Sequence, residues 1–120
     1  LLVKRYVGKK FNTKIILCKT IRDKNKLALS SRNLLLKKSD LIKAGKIAKN
    51  LISFKKQLSK KKRIEQLIKI KKDYLEKMYN VKIEYLELRS KYNLKISKKT
   101  KDTKIFIAYY INNTRLIDNF

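Results

Sequence analysis

The sequence predicts an α+β fold, a small domain of two or three helices on a three-stranded antiparallel sheet. Three observations carry that expectation. Apolar residues recur at helical spacing through two long lysine-rich stretches in the middle of the chain. They then alternate with charged residues through the first half of 81–88, as a sheet with one wet face requires. Finally, an apolar run over 103–111 meets Asn112 and Asn113, a two-residue hairpin signal because asparagine tolerates positive φ.

Residues 1–8 read as the last turns of a helix, stopped by Gly8 and the basic pair Lys9 and Lys10. Residues 13–18 form a short β-branched apolar run, expected as a buried strand with Cys18 as an inert buried thiol. Together they read as the last helix–strand step of a Rossmann-like α/β nucleotide-binding domain. Residues 1–18 are then its C-terminal remnant, and 19–120 a separate C-terminal domain. Ligands of such sheets gather at the carboxyl ends of the strands, which places the loop after Cys18 at that edge. A helix is expected from Ser39 or Asp40 as N-cap, with Leu41, Ala44, Ile47, Ala48, Leu51 and Ile52 on its apolar face. A second spans 61–79, burying Ile64, Leu67, Ile68, Leu75 and Met78, with Glu65–Lys69 and Asp73–Lys77 as i,i+4 pairs. Strands follow over 81–88, 103–111 and 114–117, with 97–102 as an exposed polar loop.

Thirty-four basic against nine acidic residues give a formal charge of +25, which by itself points to nucleic acid. Its distribution argues otherwise. Lysines outnumber arginines 28 to six and are spread over the whole chain, alongside abundant Ile, Asn and Tyr. That is the profile of AT-rich coding rather than of an arginine-and-aromatic reading surface. Polyanion binding is then expected to be weak and to vanish as salt rises. No apolar run is long enough to span a bilayer, and a single cysteine forms no internal disulfide. The two amphipathic stripes have a sheet to cover and need no membrane.

The chemistry-bearing stretch is Leu27-Ala28-Leu29-Ser30-Ser31-Arg32-Asn33, after the basic loop Thr20-Ile21-Arg22-Asp23-Lys24-Asn25-Lys26. Two hydroxyls and a guanidinium at the mouth of a helix can hold phosphate oxygens, the planar arginine gripping two at once. The same string also serves as a turn with a capping residue. Both readings stand on the residues alone.

Residues 20–23 and 27–33 resemble the nucleotide loop of the pantothenate synthetase (pantoate–β-alanine ligase) family. Ile107-Ala108 and Asn113-Thr114-Arg115-Leu116-Ile117-Asp118-Asn119 resemble that family's C-terminal signature, in the right order. The resemblance implies that the main chain at Ile21 contacts adenine. It implies that Ser30, Ser31 and Arg32 bind the ATP triphosphate, as a KMSKS-like loop does. Lys24 and Lys26 flank that loop as solvated or attracting charges; Arg115 and Asp118 take structural roles, pairing with each other or capping a strand. Lys19 stands where the family usually has proline, and Lys26 where it usually has glycine.

The family's reaction joins pantoate to β-alanine through a pantoyl adenylate, releasing AMP and diphosphate, with ATP as substrate and Mg2+ on its phosphates. Its HxGH histidines and its Gly-Glu-Lys-Asp…Gln-Gln stretch have no counterpart here, where histidine is absent. The chain opens on Leu1, partway through a helical pattern. It is expected to be the C-terminal, lid-like portion of a cytoplasmic, homodimeric enzyme and to be inactive alone. Specific nucleic-acid and membrane partners are not expected. A basic nucleic-acid-binding module and an orphan non-catalytic lid domain are the alternatives.

Overall fold

The computed structural model describes residues 7, 10, 11, 14–16, 18–58 and 63–120. Its elements are a 3-10 turn over Ser31–Leu35, helices α1 (Lys38–Leu58) and α2 (Ile64–Tyr79), and strands β1 (Lys82–Ser90), β2 (Thr103–Ile111) and β3 (Thr114–Asn119). The sheet is an antiparallel meander in the order β1-β2-β3. The two helices, the three strands and the α+β class agree with the sequence reading. Among the described residues no helix is long and apolar enough to cross a membrane.

The central strand explains the layering. On β2, Ile105, Ile107, Tyr109 and Ile111 are all buried, so one face of the meander carries the core. Ile47, Leu51 and Leu58 of α1 and Leu75 of α2 pack into that cluster. A buried aliphatic side chain contributes about 1.5–3 kcal/mol, so this layer dominates the domain's stability. Helix α2 ends at Asn80 in the left-handed region (φ 47°), a conformation asparagine adopts readily. Glu76 then accepts the Ile83 amide at 2.8 Å, tying the helix end to β1.

The hairpin turn falls on Asn112 and Asn113, with Ile111 opposite Thr114 and Asn112 at φ 51°. The Asn112 side chain donates to buried Asp40 at 3.0 Å, so the turn is pinned to the start of α1. Asp40 therefore lies inside that helix, which begins at Lys38, and is not its N-cap.

Further boundaries and burials differ from expectation. Described α2 starts at Ile64, while 59–62 lie outside the described residues. Met78 is exposed: one step past the buried stripe, it lies clear of the core. Strand β3 runs on to Asn119, because Phe106 and Ile107 supply partners for Asn119 and Asp118.

The expected helix over 1–8 lies almost wholly outside the described residues. Residues 14–16 and 18 of the expected strand belong to no ladder, and Cys18 is exposed rather than buried. Among the described residues no strand pairs with this segment, and only Ile15 in it is half-buried.

Candidate functional site

The loop over 20–33 is built by its own polar groups. Asp23 Oδ1 accepts the Asn25 and Leu27 amides at 2.8 and 2.9 Å, an aspartate turn that reverses the chain. The Lys26 amide donates to the Asp23 carbonyl, which closes a four-residue turn and leaves Lys26 at φ 70°. That is the left-handed region, and it explains why glycine suits this position. Arg22 and Ala28 then pair as a short antiparallel bridge, flanked by the Leu29 amide donating to the Ile21 carbonyl at 3.0 Å. Asn33 Nδ2 clamps the Ala28 carbonyl at 2.9 Å. Gly45 of α1 lies under this loop, where a Cβ would come within 2.6 Å of Asn25 Cβ.

Ser30 caps the 3-10 turn, its Oγ accepting the Arg32 amide at 3.2 Å. The capping reading of this string thus holds for Ser30. The expected helix mouth does not: Leu36 is extended (φ −96°, ψ 138°), and α1 begins separately at Lys38. A single 3-10 turn supplies little dipole, so any pull on an anion at this turn would come from side chains.

All four residues singled out from the sequence, Ile21, Ser30, Ser31 and Arg32, are solvent-exposed. Among the described residues the Ser31 hydroxyl and the Arg32 guanidinium have no protein partner. Beside Ser30 and Arg32 lies a cleft of about 30 Å³ walled by Tyr109, Leu116 and Asp118. That space has room for little more than water. Burial pushes the Tyr109 hydroxyl well above its usual range, and the nearby Asp118 carboxylate adds to the shift. Leu34 and Leu35 stand uncovered at the rim, 87% and 72% exposed.

The sequence reading missed the contact that joins the two motif blocks. Arg22 forms a two-pronged ion pair with Asp118, Nη1 to Oδ2 at 2.7 Å and Nη2 to Oδ1 at 2.9 Å. Its guanidinium also lies 4.7 Å from the Phe120 ring centre. Arg22 falls in the first motif block without an assigned role and Asp118 in the second with Arg115 as its expected partner, so an Arg and an Asp in two distant motifs were the available signal. Arg115 does not pair with Asp118 at all. It pairs with Glu84, at 2.7 and 2.9 Å, because Glu84 is the unpaired residue of a bulge between Ile83 and Tyr85. Asp23 and Asp118 are thus both engaged, and among the described residues no group of three potential metal ligands stands together.

An α+β meander that exposes hydroxyl and guanidinium groups on a clamped loop is the class of domain the fold defines. The particular family follows from comparison: the Pantoate-beta-alanine ligase family model matches residues 1–120, and the chain belongs to that family. A pantothenate synthetase from Flavobacterium psychrophilum is 37% identical, covering 98% of this chain and 43% of the relative. One from Chelativorans sp. is 33% identical over 89% of this chain and 38% of its own length.

Among solved structures, the pantothenate synthetase from Thermus thermophilus superposes with a TM-score of 0.81 at 22% identity, which shows the shared fold. That match covers 99% of this chain and 43% of the other. A pantoate-beta-alanine ligase from Francisella tularensis, complexed with beta-gamma ATP and beta-alanine, matches with a TM-score of 0.62 at 32% identity. It covers 99% of this chain and 38% of that one. The chain thus spans about two fifths of the length of the relatives it matches.

Proposed function

We propose that these residues form the ATP-closing part of a pantoate–β-alanine ligase, with residues 19–120 as its lid-like C-terminal domain. The observation that carries the reading is the division of labour in the loop. Asp23, Asn33 and Arg22 are occupied in building it, while among the described residues Ser31 and Arg32 side chains remain without protein partners. The exposed Leu34 and Leu35 fit a surface that closes against the rest of a larger enzyme. The ATP-complexed Francisella relative supports the choice of nucleotide.

In this reading the main chain at Ile21 faces adenine, and Ser30, Ser31 and Arg32 hold the β- and γ-phosphates. Pantoate's carboxylate attacks the α-phosphorus and diphosphate leaves; the amine of β-alanine then displaces AMP. Negative charge grows on the departing diphosphate, and these residues stabilise it electrostatically rather than by proton transfer. Mg2+ accompanying ATP would supply neutralisation of phosphate charge, while Asp23 of the loop stays engaged with the Asn25 and Leu27 amides. A homodimer and a cytoplasmic setting belong to the same proposal.

The test uses the protein expressed from its complete gene, supplied with pantoate, β-alanine and MgATP. Pantothenate and AMP are expected in equal amounts, and residues 1–120 alone are expected to form neither. Arg32→Ala should lower turnover by about 10²–10³, the loss typical of one preorganised donor. Near-normal turnover of that variant at saturating ATP refutes the assignment.

A further inference from the structure

The Arg22–Asp118 pair spans 96 positions of sequence and sits beside the loop without being part of its exposed surface. Asp118 lies on β3 opposite Ile107 of the central strand, and its side chain is only 6% exposed. The carboxylate is itself fixed, because Oδ1 also accepts the Asn119 amide at 2.7 Å. Arg22 is fixed by four bonds. Besides the two prongs to Asp118, Nη1 donates to the Lys26 carbonyl and Nη2 to the Asn119 carbonyl, each at 2.9 Å.

A planar guanidinium suits this arrangement, since its donors form a rigid fork that a lysine cannot reproduce. Arg22 adjoins Ile21 in the chain, and its main chain pairs with Ala28. Ala28 in turn holds Asn33 of the turn that bears Ser31 and Arg32. One ion pair therefore anchors both ends of the loop to the sheet.

We propose that Asp118 is a positioning residue for the nucleotide. Acting through Arg22, it holds the adenine-side Ile21 and the phosphate-side Ser30, Ser31 and Arg32 as one rigid unit on the sheet. This rests on the ATP reading above. Both partners are turned inward, 18% and 6% exposed, so the expected consequence of losing the pair is misplacement of the exposed groups it holds.

The experiment is steady-state kinetics on the protein expressed from its complete gene, varying ATP, pantoate and β-alanine in turn. Asp118→Asn keeps the shape and removes the charge. It should raise KM for ATP about tenfold, the effect of losing one charge-assisted contact, and leave the other two KM values within about twofold. On an Arg32→Ala background, Asp118→Asn should add little further to KM for ATP, because both changes act through the same unit. Arg22→Lys keeps the charge without the fork and should fall between the wild type and Asp118→Asn.

A purely structural clamp predicts another pattern: all three KM values move alike, or only thermal stability falls, and the effects of Asp118→Asn and Arg32→Ala add. Either result overturns the proposal while an ATP defect in Arg32→Ala preserves the ATP reading. If Arg32→Ala leaves KM and kcat for ATP unchanged, both fall together. Should Asp118→Asn not fold, Arg22→Lys is judged by the same split.

Discussion

Replacing Lys26 by glycine should stabilise this domain, although it deletes a side chain from the loop. Lys26 is held at φ 70° by the turn that Asp23 closes, and its side chain is exposed. A residue with a Cβ meets the following carbonyl in that conformation, at a cost of about 1–2 kcal/mol. Glycine removes that strain but gives the unfolded chain more freedom, returning about 0.5–1 kcal/mol.

The balance is a gain of about 0.5–1 kcal/mol, or about 2–5 °C in the midpoint of thermal unfolding. Arg22 Nη1 binds the Lys26 carbonyl, which glycine retains, so the anchor to Asp118 is untouched. The assay is thermal unfolding followed by circular dichroism on wild type, Lys26→Gly and Lys26→Ala. Alanine keeps the Cβ and discards the charge, so it should not reproduce the gain. Equal stabilisation by alanine and glycine would mean that charge repulsion, not backbone strain, is being relieved. A destabilised glycine variant would refute the strain argument outright.

Gly45→Ala should destabilise by about 1–3 kcal/mol, because the new methyl meets Asn25 Cβ at 2.6 Å and must push loop and helix apart; denaturant unfolding reads this directly. Leu75→Ala, at a fully buried position of α2, should cost about 2–5 kcal/mol by the same assay. Glu84→Gln tests the exposed pair on the bulge. The hydrogen bond from Arg115 holds the Glu84 carboxyl below its ordinary value of 4.5. As pH falls the unfolded chain takes up this proton first, so the pair's contribution is present above the usual carboxylate range and lost as pH drops through the folded-state pKa. The difference in melting midpoint between wild type and Glu84→Gln should therefore shrink between about pH 7 and about pH 3. An unchanged difference would show that the pair does not couple to folding.

The two helices and the meander were legible because their signals are local: an apolar stripe, an alternating strand, an asparagine turn. The exceptions share a cause. Met78 satisfies the helical period, but periodicity does not say where the sheet beneath stops. Asp40 resembles a cap, yet its partner, Asn112, comes from the far hairpin. Arg115 and Asp118 stand three apart on β3 and so face opposite sides of the sheet, and Arg115 meets Glu84 on a bulge that no spacing rule announces. In the candidate site the hydroxyls and Arg32 were visible as chemistry, whereas Arg22 and Asp118 acquire a role only when the chain ends are brought together. Lys26 was visible as an oddity from the resemblance, and the turn supplied its meaning.

The separation of Arg22 from Asp118 also dictates the order in which the protein can acquire its working shape. Ribosomes deliver Arg22 long before its carboxylate, whereas the contacts of α1, α2 and the β1–β2 hairpin are closer in sequence and can form earlier. During that interval the loop is a tethered but unlatched segment. A message terminated after Asn113 would still encode both helices and the first hairpin, yet would yield a product whose loop is never latched to the sheet. Damage to the last strand is thus expected to be read first as a defect of the loop and only second as a defect of the core.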